Sequence, residues 1–193
     1  MFKLSFNIKS DLTFERESDE SKELIKNTIL EKYNTIIFDI DGVLLDCFTS
    51  EGKDIGAFQT TPPFKLQEKN TVIDIKGNVI KLQEGIKDLI DILDYNDKNL
   101  GIVSRSSDRN KQLPFAAQPA VMLLKTFDIF RYFNYGITIK PDIEKVNYVK
   151  PSGKTLFVDD EKQWVENVNQ REDVDVLWRK SFNNWKDLLT KLH

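Results

Sequence analysis

The chain has 193 residues, of which 40% are hydrophobic and 31% are charged, a composition that argues against a collagen-like, disordered or low-complexity chain. Its 28 basic and 31 acidic residues give a net charge of −3, which argues against nucleic acid or an anionic membrane as the main partner. A single cysteine, Cys47, excludes an intramolecular disulfide framework, and a single histidine, His193, argues against a histidine-based catalytic triad.

Neither a membrane-spanning segment nor a secretory signal is predicted. The apolar runs are short, whereas a transmembrane helix needs roughly 20 predominantly apolar residues. The opening residues, MFKLSFNIKS, lack the continuous apolar segment of a signal peptide. We therefore expect a soluble, cytoplasmic protein that has no membrane partner.

The first residues are predicted to extend a larger domain. Residues 1–17 are typical of a strand followed by a polar connection. Residues 18–33 are charged, with apolar side chains at helical spacing, which predicts an amphipathic helix. Together they form an N-terminal extension, residues 1–33, and the main domain covers residues 34–193.

The main domain is predicted to open with a buried strand. The run TIIFDI (35–40) is apolar apart from one Asp near its end. Residues 44–70 contain two Gly and two Pro and are expected to form a loop. In residues 71–82, two β-type segments flank Lys76-Gly77, which predicts a β-hairpin.

Helices and strands alternate in the rest of the chain. The predicted helices are 84–94, 117–127, 142–148, 161–169 and 182–192. The predicted strands between them are 100–104, 135–140, 155–159 and 174–178. This alternation predicts an α/β fold in which helices cover both faces of a parallel sheet.

Reactive side chains stand at the ends of four predicted strands. Asp39 lies near the end of the first, and Asp41 follows two residues later. The later strands end at Ser104, Lys140 and Asp159-Asp160. Because ligands bind beyond the carboxyl ends of the strands in open α/β sheets, we expect these side chains to meet at one edge.

These residue types predict phosphoryl transfer assisted by a metal ion. Four carboxylates at one edge would repel one another unless a cation neutralises them. Mg²⁺ fits best because it needs only one or two carboxylates together with substrate oxygens. A carboxylate can also act as a nucleophile, while Ser and Lys side chains can donate to a transferring phosphoryl group.

Residues 38–43 (FDIDGV) resemble the first motif of the haloacid dehalogenase (HAD) superfamily of phosphohydrolases. Ser104 is similar to the second motif, a lysine before the last acidic strand to the third, and Asp159-Asp160 to the fourth. This resemblance implies a HAD-like Rossmannoid parallel sheet sandwiched by helices.

A further series of segments is similar, in order, to one HAD subfamily, the magnesium-dependent phosphatase-1 acid phosphatases. The segments are PPF (62–64), TVIDIKGNVIKL (71–82), SRSS (104–107), FDIFRYF (127–133) and FVDDE (157–161), within a matching stretch of about 34–178. The resemblance implies a small β-hairpin cap, inserted at about 62–83.

The same resemblance implies roles for the site residues. Asp39 would be the nucleophile and Asp41 the general acid and base. Mg²⁺ would be bound by Asp39, the main-chain carbonyl of Asp41, and Asp159 or Asp160. Ser104 would hold the phosphoryl group.

Two lysines fit the third motif. Lys140-Pro141-Asp142 resembles the KPDP form found across the superfamily, whereas Lys145, a few residues after the proline, is more similar to the phosphatase subfamily. The sequence leaves both as candidate catalytic residues. Arg105, next to Ser104, is a further candidate substrate-binding residue, with a solvated loop residue as its alternative.

The sequence therefore predicts a Mg²⁺-dependent phosphomonoester hydrolase that acts through an aspartyl-phosphate intermediate. Its expected partner is a phosphoprotein, including one that carries phosphotyrosine, or a phosphorylated small molecule such as a phosphosugar. A nucleic-acid 3′-phosphatase is an alternative, but no cluster of basic residues near the motifs favours nucleic acid. Another alternative is a HAD-fold binding or regulatory protein without turnover, against which the intact Asp39 and Asp41 argue.

Overall fold

A parallel sheet forms the centre of the fold. The computed structural model describes residues 29–141, 144–150, 153–181 and 185, and nine strands and three α-helices lie wholly inside these ranges. In chain order they are β1 (Thr35–Phe38), β2 (Leu45–Phe48), β3 (Lys65–Glu68), β4 (Thr71–Ile73), β5 (Val79–Leu82), α1 (Ile86–Tyr95), β6 (Asn99–Arg105), α2 (Pro119–Thr126), β7 (Phe133–Lys140), β8 (Thr155–Asp159), α3 (Lys162–Asn169) and β9 (Val174–Trp178).

Helices cover both faces of this sheet. Its five strands lie in the order β7–β6–β1–β8–β9, and each neighbouring pair is parallel. Alternate residues of a strand face opposite sides. In β1, Ile36 and Phe38 pack in a core that includes α1 and α2, whereas Ile37 packs in a second core with α3. The predicted α/β fold class, a parallel sheet between helices, is thus confirmed.

A second, antiparallel sheet stands where a loop and a hairpin are predicted. Strands β4 and β5 form the expected hairpin within residues 71–82. β2 pairs with β5 and β3 with β4, which gives a four-stranded sheet in the order β2–β5–β4–β3. The prediction of loop for residues 44–70 is therefore wrong at β2 and β3. β3 lies at the sheet edge with all four side chains exposed, so it carries no apolar pattern to signal a strand.

The described end of the predicted N-terminal extension packs into the larger core of the chain. Residues 29–32 are helical, and Ile29 and Tyr33 are buried in the larger core. The hydroxyl of Tyr33 donates a hydrogen bond to Asp175 Oδ2 (2.8 Å), and burial raises the pKa of this tyrosine, with a further contribution from the Asp175 carboxylate. Residues 1–28, predicted as a strand and most of a helix, lie outside the described residues.

The predicted closing helix, residues 182–192, lies outside the described residues except at Trp185. Trp185 is helical and buried, and its indole N–H donates to the carbonyl oxygen of Val43 (2.8 Å). Its ring meets Phe38 edge-on at 6.0 Å. None of the helices in the described part of the chain is both long and apolar enough to cross a membrane.

The turn between β4 and β5 is organised by one buried carboxylate. Asp74 accepts hydrogen bonds from the main-chain N–H groups of Thr61, Lys76 and Asn78 and from the Asn78 side chain, at 2.7–2.9 Å. Burial by itself would raise the pKa of Asp74, but these donors more than offset it and lower the pKa below the ordinary value of 3.8.

Replacing Asp74 with Ala is expected to lower the free energy of unfolding by about 2 kcal/mol, because buried N–H donors lose a charged acceptor. Since the pKa is lower in the folded state, this stabilisation is complete well above pH 3.8 and is lost as the pH falls below it. Urea unfolding at several pH values measures both effects. Lys76→Ala is the control, because the exposed Lys76 contributes only its main-chain N–H. Equal stability of wild type and Asp74→Ala at neutral pH would contradict the assignment.

Candidate active site

The carboxyl ends of β1 and β8 bring two acidic residues side by side. Phe38 in β1 pairs with Val158 in β8, and the N–H of Asp39 donates to the Val158 carbonyl at 2.9 Å. Asp39 and Asp159 therefore leave adjacent parallel strands at the same edge of the sheet. Both are buried, with 3% and 0% of their surface exposed.

Lys145 is the cation that these two carboxylates share. Its ammonium nitrogen lies 3.0 Å from Asp39 Oδ1 and 2.6 Å from Asp159 Oδ2, and its surface is 1% exposed. Burial alone would lower the pKa of Lys145, but the charges of Asp39 and Asp159 outweigh burial and raise it. Lys145 thus stays protonated inside the protein.

Lys140, the other candidate lysine, is not part of this cluster. It is the last residue of β7 and its side chain is exposed. Lys145 begins a short 3-10 helix, Lys145–Asn147, within the range 142–148 predicted as helical; residues 142–143 lie outside the described residues. The geometry therefore brings Lys145, and not Lys140, to Asp39.

Asp41 is turned into the same cavity by a sharp bend and is held by the antiparallel sheet region. Gly42 has φ +71°, a conformation that favours glycine, and a Cβ there would lie 2.5 Å from Asp160 Oδ2. The N–H of Ala57 donates to Asp41 Oδ1 at 2.7 Å. Burial, and then the charge of Asp39, raise the pKa of Asp41 to about 7. A carboxyl group with such a pKa can donate and accept a proton near neutral pH.

The acidic pair at the end of β8 divides its contacts between the interior and the surface. Asp159 Oδ1 accepts the N–H of Glu161 (2.8 Å), and burial together with the Asp39 charge raises the pKa of Asp159 to about 7. Asp160 Oδ2 pairs with the exposed Lys180 at 3.1 Å, and burial raises the pKa of Asp160 as well.

Three of these carboxylates converge as a metal site requires. Asp39, Asp159 and Asp160 each offer one oxygen, and these oxygens lie within 4.8 Å of one another. Asp39 Oδ1 is buried and accepts no well-aligned hydrogen bond, although Lys145 lies nearby. Asp41 adds a fourth carboxylate. In the described part of the chain, these carboxylates are accompanied by the ammonium groups of Lys145 and Lys180 and by the guanidinium group of Arg179, which interacts with Asp160. The surplus negative charge and the all-oxygen donor set fit a hard divalent cation such as Mg²⁺.

The predicted phosphate-binding residues lie at the edge of this cluster. Ser104 is buried near the end of β6 and lines the cavity in front of Asp39. Arg105 also lines it, but its guanidinium pairs with Glu161 and lies over the Trp164 ring, 5.3 Å from the ring centroid. Arg105 is therefore held at the edge of the cavity by its contacts with Glu161 and Trp164.

The cavity has a volume of about 650 Å³ and includes residues that the sequence analysis does not single out. On one wall Gln83 donates to Asp46 Oδ1 (2.7 Å) and accepts a hydrogen bond from Arg179 (2.9 Å). Burial lowers the pKa of Arg179, in spite of the Asp46 and Asp160 charges that raise it. No local motif marks these residues, because they meet only through tertiary contacts across 37 and 96 positions of the chain.

No protein-family model and no curated protein sequence matches the chain. Among solved structures, the chain is similar to a Clostridium difficile protein described as a "putative phosphatase", with 21% identity and a TM-score of 0.47 over 76% of this chain and 84% of that one. It is also similar to a HAD-superfamily hydrolase from Ehrlichia chaffeensis, with 17% identity and a TM-score of 0.44 over 83% of this chain and 98% of that one. At this degree of similarity, neither structure assigns a substrate or a reaction to the chain.

Proposed function

We propose that the chain is a Mg²⁺-dependent phosphomonoester hydrolase in which Asp39 is the nucleophile. The observation that carries this proposal is the buried group formed by Asp39, Lys145 and Asp159, with Asp41 two residues away in the same cavity. The resemblance of residues 38–43 to the first HAD motif supports the same roles.

The proposed reaction has two steps. In the first, an Asp39 carboxylate oxygen forms a bond to phosphorus while the bond to the leaving oxygen breaks, and Asp41 gives that oxygen a proton. In the second, Asp41 takes a proton from water, and the water oxygen attacks the aspartyl phosphate and releases inorganic phosphate. The ammonium group of Lys145 and the hydroxyl group of Ser104 supply positive charge and a hydrogen-bond donor for the phosphoryl oxygens.

Mg²⁺ would be held by Asp39 and Asp160, together with Asp159 and the main-chain carbonyl of Asp41. Asp160 requires the smallest rearrangement, because its partner Lys180 is an exposed side chain, whereas both oxygens of Asp159 already have buried or main-chain partners. When bound, the ion neutralises charge on the phosphoryl group and on the crowded carboxylates.

The charges around the cavity favour a phosphorylated small molecule or a phosphoprotein as substrate. The cavity lining mixes two acidic residues, Asp46 and Asp54, with two basic residues, Arg179 and Lys180. A continuous basic surface of the kind that tracks a nucleic-acid backbone is not formed by this mixture. We therefore retain the phosphomonoester as the substrate class in preference to a nucleic-acid 3′-phosphate.

Removing divalent cations is expected to stop hydrolysis of p-nitrophenyl phosphate, and adding Mg²⁺ to restore it. Mg²⁺ binding is also expected to raise the Tm of the protein without substrate, because the ion relieves repulsion among buried carboxylates. Thermal unfolding with and without EDTA measures this second effect independently of turnover. The matched variant is Asp160→Asn, in which the Mg²⁺-dependent rise in Tm should shrink. Full activity in EDTA would contradict the metal assignment.

A further inference from the structure

A short loop of the antiparallel sheet region closes on Asp41. Residues 56–60, here termed the clamp loop, contain the 3-10 helix Ala57–Gln59. Inside the loop, Gln59 Oε1 accepts the N–H of Gly56 (2.9 Å), and the Thr60 hydroxyl donates to the Ala57 carbonyl (2.6 Å). From the loop that follows β6, Asn110 Nδ2 donates to the Phe58 carbonyl (3.2 Å). The clamp loop is thus fixed on two sides.

Two atoms of this loop define the surroundings of the Asp41 carboxyl group. The N–H of Ala57 donates to Oδ1 at 2.7 Å. At Gly56, an added Cβ would lie 3.2 Å from Asp41 Oδ2 and 2.5 Å from Phe58 Cε1. The backbone of Gly56 is ordinary, with φ −78° and ψ 152°, so glycine is not needed there for conformation. What its missing side chain provides is room for the Phe58 ring, which lies at this position next to Asp41 Oδ2.

An amide N–H can only donate a hydrogen bond, so Asp41 Oδ1 must act as the acceptor. Oδ2 is then the oxygen of Asp41 that is left to exchange a proton with a substrate, and Gly56, Phe58 and Asp41 all line the cavity. We infer that Gly56 and Ala57 are positioning residues that orient Asp41 so that Oδ2 delivers the proton to the leaving group. This inference rests on the proposed function, in which Asp41 is the general acid.

The step that the clamp loop controls is the loss of the leaving group. As the bond from Asp39 to phosphorus forms and the bond from phosphorus to the ester oxygen breaks, the Asp41 Oδ2 proton moves to that oxygen, the alcohol leaves neutral, and Asp41 becomes a carboxylate. An ester with a poor leaving group, such as phenyl phosphate, depends on this proton. p-Nitrophenolate leaves readily without it. Misplacing Asp41 should therefore change the ratio of kcat/KM for the two esters.

Ala57→Pro tests the hydrogen bond directly. Proline lacks the N–H, is well tolerated at the first position of a helix, and accepts the extended conformation of the preceding Gly56. We expect kcat/KM for phenyl phosphate to fall about 10²-fold, the scale of a misplaced catalytic group, and kcat/KM for p-nitrophenyl phosphate to fall much less.

Gly56→Ala is the second variant, and it decides the question if Ala57→Pro does not fold. It is expected to change the same ratio in the same direction by about 10-fold, because the new methyl group crowds Oδ2 and the Phe58 ring. The matched control is Gly52→Ala, whose Cβ would meet nothing within 4 Å although φ is +82°. Backbone strain at Gly52 should lower stability without altering the ratio.

Equal losses of kcat/KM for both esters in the clamp variants would overturn the inference, as would no loss for either ester. The proposed function fails by a different result, namely wild-type turnover in Asp39→Asn. The two failures are therefore distinguishable in one set of proteins.

Discussion

Asp39→Asn is expected to reduce hydrolysis of p-nitrophenyl phosphate by about 10⁴-fold or more, the scale at which hydrolases lose turnover when their covalent nucleophile is removed. The amide keeps the size of the side chain but cannot form the acyl phosphate. A phosphoenzyme that is cleaved by hydroxylamine should be trapped with the wild type and be absent from the variant. Steady-state kinetics and phosphoenzyme trapping are the two measurements.

The control for this variant is Asp94→Asn, the same change of charge at an exposed carboxylate of α1. It should retain wild-type turnover and phosphoenzyme. If Asp39→Asn keeps a wild-type rate, the nucleophile lies elsewhere and the proposed mechanism is wrong. In the Asp39→Asn variant, Lys145 loses one of its two charged partners. Circular dichroism checks that the variant is still folded.

The second large effect is expected at Lys145. Lys145→Ala should lower kcat/KM about 10²-fold or more, because a buried ammonium group beside Asp39 would no longer stabilise charge on the transferring phosphoryl group. Lys140→Ala should lower it little, since Lys140 is exposed at the end of β7. The comparison is matched, because each variant removes one lysine charge, at the last residue of β7 or five residues beyond it.

Stability separates a catalytic loss at Lys145 from unfolding. Removing this lysine leaves the buried carboxylates of Asp39 and Asp159 without their cation, which typically costs about 3–5 kcal/mol. Lys145→Met retains much of the apolar stem, and urea unfolding shows whether it is folded under assay conditions. A folded Lys145→Met variant with wild-type kcat/KM would contradict the role assigned to this lysine.

The central sheet could be predicted because each of its most buried strands is recognisable from its own residues. β1 and β8 are buried along their whole length, so each appears as an apolar run that ends at an Asp. The predicted strands 155–159 and 174–178 coincide with β8 and β9. The antiparallel sheet was predicted only at its hairpin, because β2 is a four-residue, half-buried strand next to a segment that contains Gly and Pro, and β3 is an exposed edge.

The site residues likewise divide into those that the sequence identifies and one that it does not. Asp39, Asp41, Asp159 and Asp160 are recognisable in the sequence because each follows or ends an apolar strand, and parallel strands necessarily deliver such residues to one edge. Which lysine reaches Asp39 could not be read in this way. The pairing of β6 with β7 is interrupted by register shifts, and Lys145 lies in a separate short helix beyond the end of β7, so sequence spacing does not define which ammonium group reaches Asp39.

By itself, the sequence determined an α/β sheet with a cluster of acidic residues at one edge, because strand periodicity and the residues at strand ends are local properties of the chain. Only the tertiary structure decided that Lys145 rather than Lys140 contacts Asp39 and Asp159, and that the N–H of Ala57 holds Asp41. Both contacts join residues that are distant in the sequence. The first depends on where the short helix Lys145–Asn147 lies relative to β1 and β8, and the second on where the segment between β2 and β3 lies relative to Asp41, which no local pattern of residues encodes.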